Sequence, residues 1–389
     1  MSGIFLITIY SELSINLCWL SFFLFIICVL LSFIAYFCKK NEYMVRNMFF
    51  RMCAFLCAFC MIMSACSDSD DEIIPQPGDS EGEYLPCVCP DFLKPGDSIA
   101  VVSPAYWTDM ETIELGMSAI EAMGFTPVLA PNVGSQYLEK YAGTTAQRVA
   151  DLEWAYAKSG IKAIMTTRGG YGCIQMLQEL DKSVVQDNPK WLIGYSDITT
   201  LLSYSVTSGV MAIHGTMLSS LKKTGGTSDD DQMLRELLLG NVPDYEWAAT
   251  THRNRTGEAH GVVVGGNMTT FTPLIGSPYD FTSQGDLILF VEEIGENARN
   301  IDRMMYSLKI HGTLSRVKGI IVGDFAGCGD EFKIGSIEEM LDKYTLSGVN
   351  IPIAYGFKAG HAGINMPLVM GAEAFLVAED NKASLKFAR

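Results

Sequence analysis

Short apolar runs alternate with segments of helical pattern between residues 98 and 213, and this alternation limits the possible folds more than any other feature. Apolar residues recur at helical spacing in 110–123 and 145–158, each closely followed by a glycine. The predicted strands are 98–102, 127–130, 161–166, 191–194 and 210–213. Because strands and helices alternate through short links, the pattern predicts a parallel sheet with helices on both faces. Ligands bind beyond the carboxyl ends of such strands, so the turns after the third and fourth strands are candidate sites.

A second domain is predicted after a polar crossover. Residues 221–258 are polar and charged, with one helix predicted at 230–239. Further strands are predicted at 261–264, 287–291 and 319–322, with a helix at 300–309. The folded body is therefore expected to begin near residue 91, with a first domain at 91–220 and a second at 259–389.

The first 66 residues predict export. Residues 1–38 are apolar with a single charge, which alone is typical of a transmembrane helix. A basic start at 44–51 then precedes an apolar run at 52–63, which is the order of a secretory signal. We expect translation to begin at one of the two methionines of 44–51, so that residues 1–43 are a gene-start artefact. The alternative is an uncleaved anchor of two helices.

In Met63-Ser64-Ala65-Cys66, two small residues stand directly before the cysteine. This arrangement resembles a bacterial lipoprotein signal, in which the cysteine is lipidated and becomes the new N-terminus. The resemblance implies a lipid anchor at Cys66 and a location facing the periplasm or the cell surface. Residues 67–90 are charged and rich in helix breakers, which predicts a disordered tether.

Composition excludes some functions. The net charge of −16 argues against a nucleic-acid partner, whose phosphates would repel this surface. Seven of the eleven cysteines fall at or before Cys66, so a disulfide framework is not indicated for the folded body. Cys173 and Cys328 are predicted to be small buried apolar residues.

A glycine-rich turn, Arg168 to Gly172, follows the third predicted strand. Its glycines permit positive φ and let backbone N–H groups approach a ligand. The spacing differs from the dinucleotide-binding fingerprint. A phosphate-binding turn or merely a tight turn are alternatives, so this motif is weak evidence alone.

A serine follows the fourth predicted strand in Gly194-Tyr195-Ser196-Asp197, where a helix begins. A serine at a strand-to-helix turn is lifted out of the sheet towards the positive end of the helix, which suits a nucleophile and its oxyanion. The G-x-S-x-G pattern is not matched, because Ile198 replaces the second glycine. The alternative is that Ser196 only caps the helix.

A nucleophilic serine needs a histidine oriented by a carboxylate. Spacing leaves His214, which ends the fifth strand, and His361, which lies in a glycine-flanked loop, about equal as bases. The other histidines are predicted to be solvated (His252 and His260) or to lie at a helix end (His311).

The candidates for the orienting carboxylate are Glu292 and Glu293, which end an apolar strand. Alternation predicts that one of the two faces the interior and the other faces solvent. A buried carboxylate must be paired, which suits a partner of histidine. Asp302 and Arg303 are predicted to form a structural ion pair.

These segments together resemble the LD-carboxypeptidase family, which includes the muramoyltetrapeptide carboxypeptidases and the microcin C immunity peptidases. The resemblance covers most of residues 92–386 and consists of seven motifs in the family's order, none specific alone. The motifs are Gly96 to Pro104, Arg168 to Gly172, Gly194 to Thr199, Gly265 to Asn267, Leu289 to Glu293, Ile301 to Met304 and Gly356 to His361.

The resemblance implies an α/β fold with a Rossmann-like N-terminal domain, a smaller β-rich α/β C-terminal domain, and an active site between them. It implies Ser196 as nucleophile on the first domain, with Glu292 and His361 as its partners on the second. Backbone N–H groups of Asp197 and Gly170 would form the oxyanion hole. No metal or other cofactor is expected, and a homodimer is implied. Substrate contacts are expected from Arg168, Gly169, Tyr171 and Asn267.

The expected reaction is hydrolysis of the amide bond between an L-configured centre, such as lysine or diaminopimelate, and a C-terminal D-alanine in murein peptides. The export signal departs from the well-known members, which work inside the cell on recycled wall fragments. Two alternatives stay open. One is an amidase with the same triad that acts on peptidyl-nucleotide antibiotics. The other is a lipid-anchored protein that captures wall peptides without cleaving them.

Overall fold

The structure is a computed structural model that describes residues 86–388, apart from positions 251, 253 and 330–335. The predicted signal, Cys66 and nearly all of the predicted tether therefore lie outside the described residues. Within the described part of the chain, no helix is both long and apolar enough to cross a membrane.

The first of two sheets is the parallel sheet predicted from the sequence. Numbered in chain order, the strands are β1 Ser98–Val102, β2 Thr126–Leu129, β3 Ile161–Thr166, β4 Trp191–Gly194, β5 Ala212–His214, β6 Tyr245–Ala248, β7 Gly257–Asn267, β8 Leu287–Ile294, β9 Val317–Ala326, β10 Ile353–Tyr355, β11 Leu368–Met370, β12 Glu373–Glu379 and β13 Lys382–Phe387. The first sheet has the order β11-β5-β4-β3-β1-β2. Only the β11–β5 pair in it is antiparallel.

The second sheet is mixed, with the order β10-β9-β8-β7-β12-β13-β6. Strands β7 to β10 pair in parallel, and β12, β13 and β6 add antiparallel neighbours. Residues 287–293 of β8 are all buried, as expected for a central parallel strand that is covered on both faces. The two sheets, in two domains, confirm the predicted α/β class.

Helices cover these sheets and carry local sequence signals at their ends. They are α1 Met110–Ala122, α2 Thr145–Ala157, α3 Lys182–Asp187, α4 Thr199–Thr207, α5 Leu218–Thr224, α6 Asp229–Leu238, α7 Met268–Phe271, α8 Ala298–Ile310, α9 Thr313–Arg316 and α10 Ile337–Met340. Helix α2 begins with a capping box, in which the Thr144 hydroxyl accepts from Gln147 N at 3.3 Å and Gln147 Oε1 accepts from Thr144 N at 2.9 Å. Each reciprocal bond satisfies an N–H group that the helix leaves open.

The structure differs from the predicted domain boundaries in two places. Strand β6 lies inside the predicted crossover at 221–258 and forms an edge of the second sheet. Strand β11 lies inside the predicted second domain at 259–389, yet it pairs with β5 in the first sheet. The chain therefore crosses between the domains more than once.

Two smaller predictions are corrected. Asp302 and Arg303 do not form an ion pair with each other, because Asp302 accepts from the Thr345 hydroxyl at 2.6 Å and Arg303 donates to Asn300 Oδ1 at 3.1 Å. Cys173 is fully buried as predicted, whereas Cys328 is only partly buried.

Candidate active site

Ser196 stands where β4 gives way to a short 3-10 helix, Ser196–Ile198, which continues into α4. Its backbone φ is +64°, a left-handed conformation that costs a residue with a side chain about 1 to 3 kcal/mol and concentrates at functional sites. The N-cap positions of the 3-10 helix and of α4 are Tyr195 and Ile198. Ser196 is therefore not a helix cap, and the capping alternative is wrong.

The glycine-rich turn after β3 lies against this serine. A Cβ added at Gly169 would be 2.8 Å from Ser196 Cβ and 3.0 Å from Ser196 Oγ. The next residue, Gly170, has φ +126° and packs on the Tyr106 ring. Within the described chain, the Gly170 N–H has no hydrogen-bond acceptor. The turn thus brings a free backbone donor close to the hydroxyl, as an oxyanion hole requires.

Gly169→Ala is expected to lower kcat/KM by about 100-fold, because the new methyl would displace Ser196 by roughly 1 Å. Steady-state kinetics on the substrate expected from the family resemblance, a murein tetrapeptide, measure the effect. Gly329→Ala is the matched control, since a Cβ there meets open space. Equal activity of both variants would contradict the close packing of Gly169 on the nucleophile.

Two buried charged side chains, Asp197 and Arg148, contact the backbone of this turn, and a role for Arg148 was not predicted from the sequence. The Asp197 carboxylate accepts from Cys173 N at 3.0 Å, and burial raises the pKa of Asp197. Arg148, on α2, is 3% exposed and donates to Gly172 O at 2.9 Å and to Pro104 O at 2.8 Å. An arginine at a core-facing position of a helical pattern was the available signal, since such a cation needs carbonyl partners.

Glu292, which is buried, pairs with His361, which is partly exposed. Their Oε2 and Nδ1 atoms are 2.7 Å apart, and Glu292 is 0% exposed at the end of β8. Burial raises the pKa of Glu292, and the hydrogen bond with His361 opposes that rise. The carboxylate orients the imidazole through Nδ1, which leaves Nε2 free to accept a proton and then donate it.

Glu293 is also buried, so the expected division into one buried and one solvent-facing carboxylate is wrong. Strand β8 is buried on both faces over 287–293, so two neighbouring side chains that point to opposite faces are both buried. Glu293 accepts from Thr269 N at 2.7 Å and from Asn267 Nδ2 at 2.9 Å. This carboxylate is thus satisfied by neighbouring donors rather than by a histidine.

His214 and His361 are separated by their surroundings. His214 is 0% exposed, and its Nε2 lies 3.1 Å from Asn365 Oδ1. Burial lowers the pKa of His214 to about 3, so the ring stays neutral at neutral pH. Its edge packs against the Phe290 ring, with centroids 5.0 Å apart. His214 is therefore a core residue, whereas His361 is partly exposed and paired with Glu292.

Tyr195 connects the nucleophile's turn with the histidine loop. Its ring centroid is 4.9 Å from that of His361, and Tyr195 directly precedes Ser196. No hydrogen bond joins the Ser196 hydroxyl to the His361 ring in this part of the described chain. Catalytic hydrogen bonds of this kind are commonly long without substrate and tighten in the Michaelis complex.

The remaining predicted contact residues differ in accessibility. Arg168 is exposed and its guanidinium carbon lies 6.0 Å from the centroid of the Tyr106 ring. Tyr171 is 47% exposed beside Tyr141, with centroids 6.3 Å apart. Asn267 is 3% exposed, and its side-chain amide donates to Glu293. Asn267 therefore helps to hold the buried Glu293 carboxylate in place.

The other histidines lie apart from this arrangement. His252 is only partly exposed, 3.5 Å from Asp342, so its predicted solvation is incomplete. His260 is exposed and stacks on Phe375, and His311 caps the end of α8 as predicted. Among the described residues, no group of three or more His, Cys, Asp or Glu side chains could hold a metal ion.

Comparisons with known proteins match both halves of the chain. The family models described as LD-carboxypeptidase N-terminal domain and LD-carboxypeptidase C-terminal domain match residues 99–215 and 260–376. A Bacillus subtilis protein named "Probable murein peptide carboxypeptidase" is 30% identical over 305 residues, which are 76% of this chain and 94% of that protein.

Solved structures share the fold. The crystal structure of muramoyltetrapeptide carboxypeptidase from Oxalobacter formigenes has a TM-score of 0.67 and 22% identity, covering 75% of this chain and 99% of that one. A structure of MccF in complex with glutamyl sulfamoyl guanosine has a TM-score of 0.66 and 21% identity, covering 78% of this chain and 98% of that one. At these identities the two structures carry a likeness of fold alone.

Proposed function

Since the chain belongs to the LD-carboxypeptidase family and is a serine-type carboxypeptidase, we propose that it removes the C-terminal D-alanine from murein peptides. The bond to be cleaved joins this D-alanine to an L-configured centre such as lysine or diaminopimelate. The observation that carries the proposal is the 2.7 Å contact between His361 Nδ1 and the buried carboxylate of Glu292.

Ser196, His361 and Glu292 have distinct roles in this proposal. The Ser196 hydroxyl attacks the scissile carbonyl carbon while His361 Nε2 takes its proton. Glu292 holds the imidazole in the required tautomer and stabilises the imidazolium that forms. N–H groups of Gly170 and Asp197 donate to the oxyanion. His361 then protonates the leaving D-alanine amine, and water releases the acyl group from Ser196.

The test is a product assay by mass spectrometry on murein tripeptide, tetrapeptide and pentapeptide. We expect loss of one D-alanine from the tetrapeptide alone, because the tripeptide lacks it and the pentapeptide ends in a D,D bond. Preferential cleavage of a peptidyl-nucleotide would favour the amidase alternative. Binding of the tetrapeptide without cleavage, and without labelling of Ser196 by a fluorophosphonate probe, would favour a capture protein.

We further propose that the protein is exported and lipid-anchored through Cys66. The support is the order of basic start, apolar run and small residues before this cysteine. Since the well-known family members work inside the cell, an exported form would meet murein peptides outside the inner membrane. A homodimer stays a prediction of the family resemblance.

Cys66→Ala should abolish incorporation of a labelled fatty acid and move the protein out of the membrane fraction, because the acyl chains supply the anchor. Fractionation of cells grown with the labelled fatty acid measures both effects. Cys60→Ala removes a neighbouring cysteine of the apolar run and should leave both unchanged. Labelling that survives Cys66→Ala would contradict the lipoprotein proposal.

A further inference from the structure

We infer that Arg168 binds the C-terminal carboxylate of the substrate and thereby restricts the enzyme to the last peptide bond. This inference rests on the proposed function and extends it, because it names the group that makes the enzyme a carboxypeptidase rather than an endopeptidase. It follows from the position of Arg168, from its lack of a partner, and from the charges around the nucleophile.

Arg168 is next to the residue that touches the nucleophile. A Cβ at Gly169 would lie 3.0 Å from Ser196 Oγ, and the Arg168 Cα is about 3.8 Å along the chain from that of Gly169. In the substrate, only the N–Cα and Cα–C bonds of the last residue separate the scissile amide from the terminal carboxylate carbon, a span of roughly 2.5 Å. A long side chain starting beside Gly169 is therefore suited to reach this carboxylate while Ser196 attacks.

The guanidinium is free to bind an anion. In the described chain, Arg168 has no hydrogen bond and no ion pair, and its one recorded contact is with the Tyr106 ring at 6.0 Å. That ring packs against Gly170, so it holds the guanidinium near the turn that carries the predicted oxyanion donor. A guanidinium whose one neighbour is an aromatic ring keeps its N–H groups available for a bidentate bond to a carboxylate.

The histidine side of the site is acidic and would repel a carboxylate. Glu292 and Glu293 are buried there, and Asp324 accepts from Ala362 N at 3.3 Å beside His361. A negatively charged substrate terminus is therefore expected away from these carboxylates, towards the glycine-rich turn, where the Arg148 cation acts on the buried Asp197 carboxylate.

Other cations near the site are less suited. Arg148 is buried and donates to backbone and side-chain oxygens. Lys358 faces the acidic side, where its charge lowers the pKa of Asp324 against the larger effect of burial. The Lys140 ammonium lies 5.8 Å from the centroid of the same Tyr106 ring, but it is a point charge without the planar fork that binds a carboxylate by two hydrogen bonds. Lys140 is thus the natural control for a general effect of positive charge.

The experiment compares a murein tetrapeptide that has a free C-terminal D-alanine with the same peptide ending in D-alanine amide. Arg168→Gln should lower kcat/KM for the free acid by about 10- to 100-fold, because the variant loses the charged hydrogen bonds to the carboxylate. For the amide, the change should be less than about twofold, because the variant removes no interaction that the amide makes. For the free acid, kcat/KM of Arg168→Lys should lie between the values of Arg168→Gln and wild type. Lysine keeps the positive charge but cannot form two parallel hydrogen bonds to a carboxylate.

Lys140→Gln should leave the ratio of the two kcat/KM values as in wild type. Fluorophosphonate labelling of Ser196 should proceed in Arg168→Gln as in wild type, because the probe carries no peptide carboxylate. Equal losses on acid and amide in Arg168→Gln would overturn this inference alone. A wild-type protein that is neither labelled nor able to cleave the tetrapeptide would overturn the proposed function and this inference with it.

Discussion

Ser196→Ala is expected to lower kcat on the murein tetrapeptide by about 10⁴- to 10⁶-fold, the scale of removing a triad nucleophile. The hydroxyl oxygen is the atom that forms the covalent acyl intermediate, so no neighbouring group can replace it. Steady-state assays with high enzyme concentration measure the residual rate. Binding of the tetrapeptide should persist, because the substitution removes only the hydroxyl and leaves the glycine-rich turn in place. Retention of wild-type turnover would remove Ser196 from the mechanism.

The free energy of unfolding gives a second, independent test of the backbone conformation at Ser196. Because Ser196 has φ +64°, glycine should suit this backbone better than either serine or alanine. Ser196→Gly should therefore be more stable than Ser196→Ala by about 1 kcal/mol, measured by urea unfolding. Both variants should be inactive. A glycine variant that is no more stable would indicate that the turn relaxes without strain.

Glu292→Gln is expected to lower kcat by about 10³- to 10⁴-fold, because the neutral amide cannot stabilise the imidazolium or enforce the tautomer of His361. The carboxylate is 0% exposed, 2.7 Å from His361 Nδ1, and the substitution keeps its shape. KM should change little, since the side chain contacts the histidine rather than the substrate. Steady-state kinetics give kcat and KM separately.

Glu293→Gln is the matched control for Glu292→Gln. Glu293 is an equally buried carboxylate on the same strand, but it accepts from Thr269 N and Asn267 Nδ2. Its loss should cost about 1 to 3 kcal/mol of stability by setting an amide NH₂ group against these donors. Its effect on kcat should be much smaller. A kcat loss as large as that of Glu292→Gln would argue against a special role for the Glu292–His361 pair.

Local sequence patterns were enough to predict the central strands of the first sheet, including β4, which precedes the nucleophile. Strands β1, β3 and β4 span the residues predicted for them, because short apolar runs flanked by breakers need no distant partner to be recognised. The family resemblance drawn from seven motifs is confirmed by the matches to both domains.

Strands that form by pairing with distant segments could not be predicted from local sequence patterns. Strand β6 was assigned to a crossover, and β11, only Leu368–Met370, was not predicted, because each becomes a strand only through a partner far away in the chain. Glu293 was expected to face solvent for a related reason, since local alternation does not reveal that β8 is covered on both faces.

The histidine could not be chosen from residue spacing, which left His214 and His361 equal. Family resemblance favoured His361, and the structure supplies the physical reason. His214 lies in the core against Asn365 and Phe290, whereas His361 meets Glu292. Arg148, which holds the glycine-rich turn, was missed because burial of a helical arginine depends on tertiary packing.

A double-mutant cycle on Ser196 and His361 tests the central claim most directly. If the two side chains act as one unit with Glu292, Ser196→Ala, His361→Ala and the double variant should share nearly the same residual kcat on the tetrapeptide. The contradicting result is a double variant whose loss equals the product of the two single losses. That outcome would mean that the serine and the histidine contribute independently and do not form a triad.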